Sequence, residues 1–184
     1  MRFELKEIQK KIGVTSLYVT HDQAEAMAIS DRIVVMSAGK IRQIGRPKQV
    51  YDNPRDVFTA DFVGLANHLP AKVTRQGTVA LLNQQELEVD GSAAMHTGAE
   101  VLLSIRPHNI KIKKIEREST SSGNELFGVV EKVSYLGDRV DYRVLVGDRA
   151  IRVQTEPGEF LAEGTKVALL LPRNKISIIS AAER

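Results

Sequence analysis

Val14-Thr15-Ser16-Leu17-Tyr18-Val19-Thr20-His21-Asp22-Gln23-Ala24-Glu25-Ala26-Met27-Ala28-Ile29-Ser30 is the stretch on which the reading of the N-terminal part turns. Leu17, Tyr18 and Val19 are strand formers bounded by polar residues, which predicts a short buried strand over residues 14–19. Asp22 and Glu25 have the spacing of a capping box, so a helix is predicted to start beside them. Ala24, Met27 and Ala28 then share one helical face. His21 is thereby expected at the carboxyl end of a strand, next to a helix N-terminus. Open α/β sheets bind ligands at such corners, and the unpaired N–H groups there favour anions.

The flanks continue the same rhythm. Leu5, Ile8 and Ile12 form an apolar stripe on an otherwise charged helix, and Gly13 is a natural C-terminal cap. Residues 32–36 read as a compact apolar strand, Ser37-Ala38-Gly39-Lys40 as a turn, and residues 41–44 as a half-exposed returning strand. Pro47 sits early in a short helix, where its missing N–H is harmless, and Asn53-Pro54 interrupts that helix. A further helix over about residues 55–63 stacks Phe58 on Phe62 and stops at Gly64.

Beyond residue 66 the pattern changes to short strands and turns. Strands are predicted over residues 71–74, 78–82, 86–89, 101–105, 110–113, 128–136, 140–146, 150–154, 167–171 and 176–179, and residues 116–125 read as a polar loop. Many short strands at this spacing suggest a small barrel or sandwich. Gly98, Val101, Leu103, Ile105, Pro107 and Ile110 are echoed by Gly164, Val167, Leu169, Leu171, Pro172 and Ile176. Either a duplicated module or plain strand periodicity accounts for that echo.

The segment from Val19 to Ala26, followed by Ser30-Asp31-Arg32-Ile33-Val34-Val35-Met36, resembles the switch-histidine region of ABC-transporter ATPases, in particular the ATP-binding subunits of bacterial importers. Ser104-Ile105-Arg106-Pro107-His108 resembles the Arg-Pro-Glu segment of those subunits' C-terminal TOBE domain, with His108 in place of the glutamate. Tyr135-Leu136-Gly137-Asp138 resembles that domain's Leu-Gly strand. The resemblance implies an α/β fragment, the end of a nucleotide-binding domain, over residues 1–66. An all-β OB-like TOBE barrel is expected over residues 67–184. It implies that His21 is the switch histidine that contacts the γ-phosphate in the parent ATPase. The plain alternative is a surface or capping histidine. Arg106 is a candidate regulatory or anion contact, or else a strand-end arginine bridging a carboxylate. ATP and Mg are the cofactors expected of an intact protein. Its expected partners are transmembrane permease subunits and a second copy of itself. Its expected location is cytoplasmic, peripheral to the inner face of the membrane. The pattern Phe62-Val63-Gly64 with Asn67 leans toward the polyamine, iron(III) or phosphonate branches.

The rest of the ATPase machinery is not in this sequence. The one Gly-Lys pair, Gly39-Lys40, has Val34 where a Walker A loop requires its first glycine and Ile41 where it requires Ser or Thr. The signature loop and the Walker B strand are likewise missing, so the chain reads as a C-terminal portion with no cofactor of its own. The competing class is a standalone dimerising or ligand-sensing OB-like module. Zero cysteines exclude disulfides and cysteine-held metals, and His68, His96 and His108 lack metal-ligand spacing. The net charge of +3 comes without a dense basic run, and aromatic residues are only 5% of the chain, so no nucleic-acid partner is expected. Titration of this chain with Mg·ATP is expected to show no saturable binding at micromolar nucleotide; tight Mg-dependent binding would refute the absence of a phosphate cradle.

Overall fold

The computed structural model describes residues 2–81, 85–90, 95–115 and 123–180. They form two compact units that divide between Leu65 and Ala66.

The N-terminal unit opens with helix α1 (Arg2–Ile12). Gly13 ends it with a φ of 70°, its N–H donating to the Gln9 carbonyl at 3.0 Å. A left-handed residue at this position costs a side-chain-bearing residue about 1–2 kcal/mol but glycine nothing. Residues 14–20 then run on without joining a sheet. This corrects the predicted strand over 14–19. A strand exists only through its neighbours' hydrogen bonds, and the described residues offer none here. Leu17 and Val19 are consequently 92% and 87% exposed.

Helix α2 (Gln23–Ile29) begins where the sequence placed it. Strands β1 (Ile33–Ser37) and β2 (Lys40–Gly45) make an antiparallel hairpin. Its two turn residues, Ala38 and Gly39, have φ of 49° and 74°, the sign that a type I′ turn demands of both. Helices α3 (Pro47–Asp52) and α4 (Val57–Phe62) follow. The Asn-Pro break between them is held by buried Gln43 on β2. Its amide donates to the Asn53 carbonyl at 3.0 Å and accepts from the Arg55 N–H at 2.8 Å. Asp56 caps α4 by accepting from Thr59 N–H at 2.6 Å and pairs with Arg42 at 3.0 Å. Arg42 also lies 5.8 Å from the Phe58 ring, and Phe58 stacks on Phe62 at 5.5 Å, as the spacing foretold. Val35, Val50 and Val63 form the unit's small core.

The C-terminal unit is all β. Its strands are β3 (Asn67–Arg75), β4 (Thr78–Leu81), β5 (Glu86–Glu88), β6 (Glu100–Ile105), β7 (Lys111–Lys114), β8 (Glu125–Tyr135), β9 (Val140–Val146), β10 (Arg149–Thr155), β11 (Lys166–Leu170) and β12 (Ile176–Ser180). Two strands start earlier than the sequence suggested, β3 at Asn67 and β8 at Glu125. The predicted loop over 116–125 falls largely outside the described residues. Two five-stranded antiparallel sheets, in the orders β12-β6-β3-β4-β5 and β7-β11-β8-β9-β10, curl as half-barrels around one core. Leu103, Leu126, Val144, Val167, Leu169 and Leu171 are fully buried in it. Each such side chain contributes about 1.5–3 kcal/mol.

The echo between Gly98 and Gly164 is a duplication of structure. Val73 and Val130 occupy equivalent places. Gly98 N–H donates to the Val73 carbonyl at 2.7 Å, and Gly164 N–H to that of Val130 at 2.8 Å. The 3-10 turns Pro107–Asn109 and Arg173–Lys175 recur at the same separation as the two glycines. The order of strands shows how the halves combine. The last strand of each repeat leaves its own sheet and pairs at the edge of the other, β12 with β6 and β7 with β11.

The opposite edges are held by two buried asparagines. Asn67, at the start of β3, donates to the Arg152 carbonyl and accepts from the Arg152 N–H, both at 2.8 Å. Asn124, just before β8, accepts from Glu88 N–H at 2.7 Å and donates to its carbonyl at 2.6 Å. Each amide imitates a strand neighbour, fastening one sheet to the edge strand of the other. Close packing also fixes Gly128 on β8, where a Cβ would lie 2.5 Å from the Leu145 carbonyl oxygen. Because truncation strands two backbone groups, Asn67→Ala and Asn124→Ala are each expected to cost about 2–4 kcal/mol in urea unfolding. A loss well below 1 kcal/mol for both would show that the amides do not hold the sheets together.

Candidate functional site

The corner containing His21 is built by local hydrogen bonds. Asp22 is the N-cap of α2 and its Oδ1 accepts from Glu25 N–H at 2.9 Å. The reciprocal half of the expected box is replaced. The Asp22 N–H donates to Thr20 Oγ1 at 2.9 Å, while the Glu25 carboxylate accepts from the Tyr18 hydroxyl at 2.9 Å and from Thr20 Oγ1 at 3.2 Å. Glu25 therefore ties the extended segment to the helix instead of closing the cap. The hydrogen bond to Glu25 and its negative charge raise the Tyr18 phenol above its ordinary pKa, since both favour the protonated form. His21 sits exposed on the bend between these anchors. Asp31 lies 3.7 Å from the Lys6 ammonium.

A nucleotide site requires backbone amides wrapped round phosphates and a lysine reaching them. The described residues around His21 supply one exposed imidazole, a seven-residue helix and an open extended segment. By themselves they do not fit ATP and Mg.

Arg106 is in the other unit. It ends β6, at the N-terminus of the 3-10 turn Pro107–Asn109, and is 5% exposed. Its carbonyl accepts from Asn109 N–H at 3.0 Å. A guanidinium this deep is desolvated, so burial stands between it and a dissolved anion. His108 beside it is exposed.

Sequence reasoning missed a cleft of about 190 Å³ in the C-terminal unit. Leu69, Pro70, Leu81, Leu126 and Ile151 are among its apolar walls, and the β9–β10 turn, Gly147-Asp148-Arg149, forms its rim. Gly147-Asp148 is legible as a turn. That the turn overlooks residues from three other strands is a product of the tertiary fold.

Residues 103–179 match the family described as TOBE domain. The chain is 36% identical to the spermidine/putrescine import ATP-binding protein PotA of Pseudomonas fluorescens over 97% of its own length and 49% of the relative's. It is 36% identical to the trehalose/maltose import ATP-binding protein MalK of Thermococcus litoralis, covering 97% of this chain and 50% of that one. The chain thus spans about half the length of the curated relatives it matches. Among solved structures, the cytoplasmic molybdate-binding protein ModG superposes with a TM-score of 0.54 at 13% identity, over 62% of this chain and 95% of ModG. That likeness concerns the fold alone. No helix among the described residues is long and apolar enough to cross a membrane.

Glu25→Gln removes the carboxylate that holds the corner. It is expected to bring the Tyr18 phenol back down toward its ordinary range, followed by pH titration of the tyrosine ring resonances in NMR; an unchanged Tyr18 titration would mean that the Tyr18–Glu25 bond does not persist in solution. With the fold and these matches together, the chain carries a TOBE domain and is homologous to the ATP-binding subunits of ABC importers.

Proposed function

We propose that this chain acts as the C-terminal part of an ABC importer's ATP-binding subunit, which couples ATP hydrolysis to uptake of a solute. The observation that carries this reading is similarity along nearly the whole chain, 36% identity across 97% of it, to proteins described as import ATP-binding subunits. In this reading residues 1–66 complete an ATPase domain begun by other segments, and residues 67–184 form its regulatory domain.

His21 takes the role of switch histidine. An imidazole on a bend between two anchored segments can position a γ-phosphate and an attacking water once the phosphate cradle faces it, and positioning with electrostatics is the main currency of phosphoryl transfer. The exposure of His21 and of Leu17 and Val19 supports an arrangement in which further protein packs against this corner. The working partners are permease subunits and a second copy, at the cytoplasmic face of the membrane. The polyamine relatives and the Phe62-Val63-Gly64 pattern with Asn67 favour a di- or polyamine as solute.

A second reading, a ligand-sensing β module, draws on the likeness to ModG, a protein described with molybdate bound. Arg106 is then the candidate anion contact, and molybdate titration of the chain with and without Arg106→Gln tests that role.

The deciding experiment for the first reading is the DNA sequence upstream of the Met1 codon. An open frame encoding Walker A, signature and Walker B segments in phase is expected. A closed frame would remove this gene product from the transporter class.

A further inference from the structure

We propose that the cleft at the β9–β10 turn binds a small zwitterion with an apolar body, an α-amino acid bearing an aliphatic side chain. The site lies wholly within the C-terminal unit, and the inference holds whether or not the transporter reading does.

Size comes first. A dry cavity of about 150 Å³ takes up benzene, so 190 Å³ suits one group of that bulk and no more. Its depth is apolar. Leu69 and Leu126 are buried core residues from the starts of β3 and β8, and Ile151 is buried on β10. An aliphatic side chain placed there would exchange water for these walls at about 25 cal/mol per Å² of apolar area removed from solvent.

Charge decides the class of ligand. Elsewhere in this unit Arg75, Arg139, Arg143, Arg152 and Arg173 each have a carboxylate partner, from Glu86, Asp138, Glu131, Asp141 and Asp90 respectively. Asp148 and Arg149, adjacent on the rim, pair with no carboxylate, cation or other polar group among the described residues, nor with each other. Two neighbouring residues of opposite charge, both lining an apolar cleft and both without an ion-pair partner among the described residues, complement an ammonium and a carboxylate carried on a single carbon. A cation alone or an anion alone would satisfy only half of the rim.

The backbone of the turn is also fixed. The ladder pairs Arg149 with Val146, leaving Gly147-Asp148 as a two-residue turn. Gly147 has a φ of 60° and Asp148 a negative one, which is the type II′ geometry that matches strand twist. A ligand meeting this turn has no backbone to order, and only the two side chains must settle.

The test is titration of the full chain by calorimetry and methyl NMR with L-leucine, isoamylamine, 4-methylpentanoate and benzene as probes. Leucine is expected to bind saturably and to shift the Leu69, Leu126 and Ile151 methyls. The two single-charge analogues are expected to bind at least about tenfold more weakly, the loss typical of one charge-assisted contact. Asp148→Asn should weaken leucine and isoamylamine without affecting 4-methylpentanoate, and Arg149→Gln should do the reverse. Both positions are on a surface turn, where substitution rarely unfolds a protein. If either variant did unfold, the four-probe comparison on the unaltered chain still decides. No saturable leucine binding up to about 10 mM would overturn the proposal. So would equal affinity for leucine and its analogues, or shifts confined to other methyls.

Discussion

The exchange of edge strands between two similar halves is the constraint on which the C-terminal unit depends. A half-barrel sheet has two edges, and each exposes a row of unpaired N–H and C=O groups. Here one edge of each sheet is filled by the final strand of the other repeat, β7 or β12, and the other edge is fastened by an asparagine, Asn67 or Asn124. The two repeats are therefore not two domains side by side. Neither sheet is complete without the other repeat, and a core residue such as Leu103 or Leu169 lies between strands of both origins. The intervening turns, with glycine at Gly98 and Gly164 in the left-handed region, bring β6 and β11 into the same place in each half.

The N-terminal unit shows the opposite situation. Its hairpin and helices are locally determined: an I′ turn at Ala38-Gly39, a glutamine amide bridging the Asn-Pro break, an aspartate cap on α4. These bonds hold the unit together round a core of a few valines. The stretch read as its central strand stays open because a strand needs a ladder on at least one side, and β1 and β2 pair only with each other among the described residues. The apolar residues Leu17 and Val19 find no buried environment among the described residues of this unit.

The two candidate residues differ in what their surroundings permit. His21 is exposed and positioned by neighbours that are themselves tied down, Asp22 and Glu25, so it can meet a group presented from outside. Arg106 is inside the fold, where little of its guanidinium is open to a ligand from solvent. The cleft beside Asp148 and Arg149 has what neither offers alone, an apolar interior with unpaired charges at its mouth.

Much of this was legible in the order of residues. Turn chemistry at Gly39 and Gly147, the cap at Asp22, the stacked pair Phe58 and Phe62, and the strand periodicity from residue 101 onward depend on contacts a few residues apart, and local sequence governs such contacts. The repeat left a trace of recurring glycines and alternating apolar positions, which plain strand periodicity accounts for equally well until the paired hydrogen bonds of Gly98 and Gly164 are seen. The tertiary structure alone decided where the last strand of each repeat goes, since strand exchange turns on pairing between segments far apart in the chain. It alone revealed that Asn67 and Asn124 act as strand surrogates, because an asparagine at a strand start has the same sequence signature whether it meets water or a neighbouring backbone. And it alone withheld a ladder from residues 14–19, because β-propensity describes a willingness to pair, and only a neighbouring strand can turn that willingness into structure.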